Sequence, residues 1–368
     1  MKTFATMFSG FGGADVGLMA AGLRPLWGVE YDADIAGVYR NNIGDHVIID
    51  DVRNVDYSLL PHVDWLHASP SCVRASVANV DATESAEDTE AAQAVVRALL
   101  AHKPQVFTLE NVWGYRNFSA FRLILDTIGD MGYFCDLEHV NSADFGVPQT
   151  RRRLILRAVH GALLPPLPMP VRWVGWHEAI ADLIPTLPDS KLAQWQLARL
   201  PQELTTMLVN TREMHGNEGA PYTTVEADKP TYTLSATSTP SRHKAFLVDG
   251  KLGSESTNMT TRNDAEPCFT VTTSHNQRDM RAVLVNESST FEMRAADAPS
   301  AAQVASERNL RQKAILPHRV VAMTPRCLAR FQSFPDSYEL PDKRSLAAKG
   351  IGNAVPPLLM QRIAEVTL

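Results

Sequence analysis

The sequence predicts an α/β protein built on a doubly wound parallel sheet, with a second, smaller β-rich domain toward the carboxyl end. Three observations carry this. From Lys2 to about His160, apolar runs of strand length alternate with stretches of helical spacing, as in successive β/α units. Around Leu164-Pro165-Pro166-Leu167-Pro168-Met169-Pro170 the composition turns proline-rich, which marks a boundary. Beyond it the alternation stops, and a helical pattern returns only after Val321. The expected organisation is therefore residues 1–164, the first part of the main domain; 165–320, the inserted domain; and 321–368, a return to the main domain.

The strands expected in the first part are Thr3–Phe8, Leu26–Val29, Val47–Ile49, Val63–Ala68, Val106–Leu109, Tyr133–His139 and Arg153–Ala158. Helical spacing fits Ala14–Ala21, Ala33–Asn41, Thr89–His102 and Phe118–Met131, and Gly129-Asp130-Met131-Gly132 ends the last of these. Near the carboxyl end, Thr324 reads as an N-cap with Pro325 at the first helical position. The segment Ile351-Gly352-Asn353-Ala354-Val355-Pro356-Pro357 and the apolar helix after it are expected to pack back on the first domain.

Composition narrows the class. With 368 residues and 45 % hydrophobic content the chain supports a sizeable core. Cys72, Cys135, Cys268 and Cys327 lie far apart with no CxxC or Cys/His spacing, which argues against a disulfide framework or a structural zinc site. No apolar stretch approaches the roughly 20 residues that span a bilayer, and the amino terminus enters a strand directly. A cytoplasmic protein is expected. The formal charge of −6 weighs against a nucleic-acid partner, but local basic clusters stand at Arg151-Arg152-Arg153, Arg242-His243-Lys244 and from Arg308 to Arg319.

The inserted domain contains an ungapped internal repeat with an offset of 37 residues. Pro230-Thr231-Tyr232-Thr233-Leu234 matches Pro267-Cys268-Phe269-Thr270-Val271, and Lys244-Ala245-Phe246-Leu247-Val248 matches Arg281-Ala282-Val283-Leu284-Val285. Each copy reads as a strand, a polar loop and a second strand, the outline of a β-hairpin. The loop tips carry Arg242, His243, His275, Asn276, Gln277 and Arg278, side-chain types that read base edges.

Chemistry is expected where apolar runs end, because open α/β sheets keep their sites at the carboxyl ends of strands. Pro70-Ser71-Cys72 follows one such run, and Glu110-Asn111 ends another. A thiol and a carboxyl group would thus share one sheet edge, the carboxyl suited to donate a proton and Arg151–Arg153 placed to favour a thiolate and an anionic substrate. Phe8-Ser9-Gly10-Phe11-Gly12-Gly13 follows the first strand and opens a helix, so a ligand could approach its backbone closely. It is not a GxGxxG fingerprint, since position 15 is Asp. Glu30, at the tip of the second strand, is placed to accept from ribose hydroxyls, and Asp51-Val52 to hold an adenine edge. Together these describe a nucleoside pocket.

Taken in order, Phe8–Gly13, Glu30, Asp51, Pro70–Cys72, Glu110-Asn111-Val112, Gln149-Thr150-Arg151-Arg152-Arg153 and Gly352-Asn353-Ala354-Val355-Pro356-Pro357 resemble the ordered motifs of the DNA (cytosine-5) methyltransferases. Arg326, Arg330, Gln332 and Phe334-Pro335-Asp336 match the motif preceding the last of these. The resemblance implies a Rossmann-like S-adenosylmethionine-dependent methyltransferase sheet, with 165–320 as the target-recognition domain, acting as a monomer on double-stranded DNA in a bacterium or its phage. It implies Cys72 as the nucleophile, with Glu110, Arg151 and Arg153 completing the catalytic set. Implied cofactor contacts are Phe8, Gly10, Phe11, Gly12, Glu30, Tyr31, Asp51, Val52, Asn353 and Val355. Contacts to DNA fall to Ser76 and Gln149 and, at the repeat tips, to Arg242, His243, Gln277 and Arg278. No metal is implied.

The nucleophile segment departs from the family pattern: Ser71 stands where it usually has proline, Val73 where it has glutamine, and Ala75 where an aromatic usually follows. Three other readings stay open on the sequence. A tRNA cytosine-5 methyltransferase would share the fold, and Cys268-Phe269-Thr270 is similar to a tripeptide of that group. A DNA-binding homologue without catalysis would fit the departures at Ser71 and Val73, and a nicotinamide-dependent enzyme would need only the glycines and Glu30. From the repeat, Arg242→Ala and Arg278→Ala are expected to reduce discrimination among DNA sequences more than they reduce cofactor affinity. Competition binding with a panel of duplexes measures this, and unchanged preference in both variants refutes it.

Overall fold

The computed structural model describes residues 1–70, 84–190, 210–212, 244–245, 260–261, 283–287, 290–295, 297–300, 313–316 and 319–368. The chain divides into two compact units: Met1–Val174 with Ala301–Glu307 and Pro325–Leu368, and Gly175–Ser300 with Arg308–Thr324.

The first unit holds a seven-stranded sheet. Its strands are β1 (Thr3–Met7), β2 (Arg24–Glu30), β3 (Val47–Ile49), β4 (Trp65–Ala68), β5 (Val106–Asn111), β6 (Tyr133–Asn141) and β7 (Arg152–His160), in the order β3-β2-β1-β4-β5-β7-β6. Helices α1 (Gly13–Ala20), α2 (Ala33–Asn42), α3 (Ala86–His102) and α4 (Ser119–Asp130) connect them. The strand order reverses between β1 and β4, whose ends pair as Met7 with Ala68. The turn after β1 and the segment after β4 therefore leave from neighbouring strand ends at a topological switch point.

One strand corrects the parallel sheet expected from the alternation. β1 to β5 run parallel, but β7 is antiparallel to both β5 and β6. The cause is the connection. Only residues 142–151 separate β6 from β7, and a parallel return needs a crossover of a dozen or more residues.

Both sheet faces are covered. On one, Ala92, Val95 and Leu99 of α3 and Phe121, Ile124 and Ile128 of α4 pack on Leu66, Phe107, Leu109 and Leu156. On the other, Leu18 of α1 packs on Phe4, Trp65 and Val106 together with Met360 and Ala364. The last two belong to the carboxyl-terminal helices, α6 (Pro325–Phe331), α7 (Arg344–Asn353) and α8 (Pro357–Thr367); α5 (Trp176–Ile180) lies in the second unit. The return of the chain end is thus part of the core. No helix among the described residues is long and apolar enough to cross a membrane.

The proline-rich stretch stays with the first unit. Buried Arg157 donates to the Pro165 carbonyl at 2.9 Å, Val171 N–H to the Asp144 carbonyl, and the Trp173 indole N–H to the Asp144 carboxylate. These bonds carry the compact unit to Val174, ten residues past the boundary read from composition.

In the second unit a five-stranded antiparallel sheet orders 319–322, 313–316, 283–287, 290–295 and 210–212. At Val283–Val285 both edges are occupied, by 290–295 and by 313–316. The hairpin expected for the second repeat copy gives way to this pairing. Lys244–Ala245 of the first copy pairs in parallel with Thr260–Thr261, and 230–234 and 267–271 lie outside the described residues.

The return helix α7 meets the turn after β1 at Gly350, where an added Cβ would stand 2.2 Å from the Phe11 ring. Phe11 is fully buried, so the ring has no room to give. Gly350→Ala is expected to cost about 1–3 kcal/mol, as overpacking does. Urea unfolding tests this, and an unchanged midpoint refutes it.

Candidate active site

All the strand ends of interest lie at one edge. Because β7 is reversed, its start at Arg152 stands beside the end of β5, with Leu154 opposite Asn111 and Ile155 opposite Glu110. Alternation along β7 turns Arg153 to the same face as Ile155 and so as Glu110. Arg153 Nε lies 2.9 Å from Glu110 Oε1, and Glu110 is only 6 % exposed. The angle is not that of a hydrogen bond, and Oε1 has no hydrogen-bond donor. A nearly buried carboxyl group is thus held by charge with acceptor capacity to spare.

Asn111 links this pair to β4. Its Nδ2 donates to the Pro70 carbonyl at 3.0 Å, and its Oδ1 accepts from Val112 N–H at 2.8 Å. Pro70 is the last described residue before the segment bearing Cys72; Cys72, Ser71, Val73 and Ser76 lie outside the described residues. That segment ends at Glu84, whose carboxylate accepts from the Ser119 and Ala120 backbone N–H groups and from the Ser119 hydroxyl. Both of its flanks are therefore tied to the chain between Asn111 and Ala120.

Arg151 and Gln149 serve the interior. Arg151, 3 % exposed, donates from Nη1 to the Gly352 carbonyl at 3.1 Å. Gln149, expected on DNA, is fully buried: its Nε2 donates to Gln332 Oε1 and to the Phe331 carbonyl, while Gln332 Nε2 donates to the Ala354 carbonyl at 2.6 Å. Gln149 clamps the β6–β7 loop to the return segment, a role that does not show in a motif where a buried and an exposed amide read alike.

The neighbouring strand end carries the turn after β1, where Phe8, Gly10 and Gly12 all adopt left-handed φ values of 61°, 58° and 71°. Ser9 N–H donates to the Val29 carbonyl and Gly10 N–H to Glu30 Oε2 at 2.9 Å, while Glu30 Oε1 accepts from Asp32 N–H at 2.9 Å. Burial raises the Glu30 carboxyl above its ordinary value, against those two backbone bonds. A buried carboxylate so oriented at a strand tip fits a ribose diol. Lys349 of α7 reaches Asp32 at 2.6 Å and adds positive charge beside Glu30.

Other residues of the expected cofactor set divide. Tyr31 is 71 % exposed and Asn353 exposed, whereas Phe11, Val52 and Val355 are buried. Asp51 is gripped by Arg53, whose Nη2 and Nε lie 2.7 and 3.0 Å from its two oxygens and hold its carboxyl below the usual range. Of the expected DNA contacts, Arg242, His243, Gln277 and Arg278 lie outside the described residues. No group of His, Cys, Asp and Glu able to hold a metal occurs among the described residues.

Sequence reasoning missed Tyr338 and Asp15. The Tyr338 hydroxyl donates to the Phe11 carbonyl and braces the turn from the loop after α6; no local pattern announces it. Asp15 sits in the first turn of α1, a place where acids are common.

Fold and edge together define an α/β protein that sets a left-handed turn and a buried carboxyl group at neighbouring strand ends beside a carboxyl–guanidinium pair. The chain belongs to the C-5 cytosine-specific DNA methylase family, whose model matches residues 2–368. It is 26 % identical to the Type II methyltransferase M1.HphI of Haemophilus parahaemolyticus over all of this chain and 86 % of that one. It is 34 % identical to the Type II methyltransferase M.Bsp6I of Bacillus sp. (strain RFL6) over 42 % of this chain, spanning about half (51 %) of that relative. Its fold matches that of the S. pombe Dnmt2 methyltransferase with a TM-score of 0.57 at 11 % identity, over 100 % of this chain and 98 % of that one.

Asp15 is wholly buried, and burial pushes its carboxyl up from 3.8 to about 6 despite hydrogen bonds from Tyr39 and Thr6. With the folded value above the unfolded one, folding takes up a proton between them, so this group's contribution to stability falls as pH rises from about 4 to about 6. Asp15→Asn removes that dependence. Relative to the wild-type chain, the variant's unfolding free energy is expected to rise by about 1 kcal/mol from about pH 5 to about pH 7.5. Urea titrations at both pH values measure it; a flat or falling difference refutes it.

Proposed function

We propose that this chain transfers a methyl group from S-adenosylmethionine to C5 of a cytosine flipped out of a short duplex DNA sequence, acting as a monomer. The observation that carries the reading is the Glu110–Arg153 pair, 2.9 Å apart, one strand over from the Pro70 end that leads to Cys72. A pyrimidine stacked in a duplex cannot reach a pocket at a sheet edge, so base flipping goes with this reading. The second unit is its target-recognition domain.

The residues divide the work as follows. Cytosine C5 is a weak nucleophile, and the Cys72 thiolate overcomes this by bonding to C6 while Glu110 delivers a proton to N3, which makes C5 enamine-like. Arg153 holds the pyrimidine O2 and keeps Glu110 in place. The bound cofactor supplies an electrophilic sulfonium methyl group. C5 would bond to that carbon as the carbon–sulfur bond breaks and the neutral thioether leaves; N3 returns its proton to Glu110, the C5 proton leaves to a base, and the electron pair of the C5–H bond expels the Cys72 thiolate and restores the ring. Glu30 and the backbone of Phe8–Gly12 hold the adenosyl group at the neighbouring strand ends.

Ser71 removes a ring that would stiffen the chain just before the thiol, and Val73 removes an amide after it. The thiol, the carboxyl group and the Arg153 guanidinium that the reaction needs are all retained.

Tritiated cofactor and unmethylated duplex DNA are expected to yield labelled cytosine. With 5-fluorocytosine in the target, the wild-type chain forms a denaturant-stable adduct and Cys72→Ala forms none. Glu110→Gln is expected to lower kcat by about 10²–10⁴-fold. Label on tRNA in place of DNA transfers the reading to an RNA substrate, and label on neither refutes it.

A further inference from the structure

A chain of buried polar side chains runs beneath the cofactor turn, and the reaction uses none of them. The Asp15 carboxylate accepts from the Thr6 hydroxyl at 2.9 Å and from the Tyr39 hydroxyl at 2.7 Å. The Thr6 hydroxyl lies 2.8 Å from that of Ser9, the residue at the centre of the turn, and Ser9 Oγ also reaches the Thr6 carbonyl at 3.1 Å. At the other end the Tyr39 hydroxyl lies 2.9 Å from His46 Nε2. The path therefore runs from a partly exposed imidazole to the turn that the proposed cofactor would sit on.

The network fills its space. At Gly28 of β2 an added Cβ would lie 2.7 Å from Ser9 Oγ, 3.2 Å from the Tyr39 hydroxyl and 3.3 Å from Thr6 Oγ1. Any side chain there would displace three of its members. Asp15 is 0 % exposed and Thr6 1 %, so no water stands in for a lost partner at the carboxylate.

Hydrogens must also be distributed consistently. A charged Asp15 is acceptor-only, which fixes the Thr6 and Tyr39 hydroxyls as its donors. With the Thr6 hydrogen committed, the Ser9 hydroxyl must donate toward Thr6, and its own lone pairs are then directed away. His46 Nε2–H then donates to the Tyr39 oxygen. A protonated Asp15 instead turns the Tyr39 hydrogen toward His46 and replaces charge-assisted bonds with weaker neutral ones. The groups facing Asp15 are Tyr39 from α2, beyond it His46 before β3, and Tyr338 from the loop after α6; no cation faces it among the described residues.

We propose that Asp15 is a positioning residue for the cofactor turn, holding Ser9 through Thr6 so that the left-handed backbone of Phe8–Gly12 is set before the cofactor arrives. The inference rests on the assignment of that turn to S-adenosylmethionine. Ordering the turn in advance removes an entropy cost from binding and leaves the chemical step untouched. The stored cost is a buried charge, and burial accordingly pushes its carboxyl up to about 6.

Isothermal titration with S-adenosylhomocysteine tests this. Asp15→Asn is expected to raise Kd roughly tenfold at about pH 7.5, the loss of one charge-assisted bond, with the KM for cofactor raised and kcat kept. In the wild-type chain Kd is expected to rise as pH falls through about 6; this dependence is lost in Asp15→Asn and kept in His46→Gln. Thr6→Val, which is near isosteric, should weaken binding several-fold, and Thr6→Ser should restore it. Equal Kd values and pH profiles for wild type, Asp15→Asn and Thr6→Val overturn the positioning role. So does a pH dependence that disappears in His46→Gln and persists in Asp15→Asn. A wild-type chain that binds no S-adenosylhomocysteine at any pH overturns instead the cofactor assignment beneath it.

Discussion

The reversal of a single strand is the constraint on which the rest of this edge depends. If β7 ran parallel to β5, its first residues would stand at the opposite end of the sheet, about 30 Å away for a nine-residue strand. Arg153 could not then reach Glu110. Reversal brings Arg151–Arg153 to the carboxyl edge, and alternation sends consecutive side chains to opposite faces. One short loop thereby gives Arg153 to the carboxyl group and Arg152 to the other face.

That loop is itself held by the far end of the chain. Arg151 on the Gly352 carbonyl and the relay from Gln149 through Gln332 to the Ala354 carbonyl fasten the β5–β7 edge to the return segment. The return segment meets the cofactor side through Gly350 on Phe11 and Lys349 on Asp32. Backbone carbonyls near the end of α7 are orphan acceptors of a helix terminus. Satisfying two of them with side chains of the β6–β7 loop and of the residue after α6 makes the helix end a junction between the β5–β7 edge and the turn after β1. The family motif around Gln332 and Phe334–Asp336 thus acts by bracing: Arg330 pairs with Asp336 at 2.7 Å, and Tyr338 reaches the turn.

Much of this was legible in the sequence, for identifiable reasons. Strands and helices of the first unit announce themselves because each buries one face or both, which leaves a period in the residues. Glu30 and Glu110 were found because a charged residue closing an apolar run has few structural uses. The antiparallel course of β7 was not legible, because the strands read from the sequence leave residues 140–152 between them, long enough for a crossover, and only the longer strands of the structure shorten the connection to residues 142–151. Gln149, Asp15 and Tyr338 were not legible either. Their roles depend on which distant atom lies within 3 Å, and neither an amide, an acid in a helix first turn nor a tyrosine in a loop carries that information. The repeat at offset 37 marks a further limit, since similar strands need not find similar partners: Val283–Val285 pairs on both edges with segments outside the repeat.

The two sides of the edge differ in how they treat buried charge. At the β5 end Glu110 has an arginine against it and one oxygen that receives no hydrogen bond. On the cofactor side Asp15 has only hydroxyl donors, the amino end of α1 and no cation among the described residues. A buried charge without a counter-ion is costly, and it persists where the surroundings gain something from its fixed polarity. Here the gain is direction: an acceptor-only group at the centre of the network forces each hydroxyl to point one way, toward Asp15. Ser9 is then held by a bond it cannot reverse, at the centre of a turn with three left-handed residues. Replacing the acid with an apolar residue would relieve the cost and lose the orientation. The stability of the fold and the readiness of its cofactor turn are in this respect opposed, and Asp15 sets the balance between them.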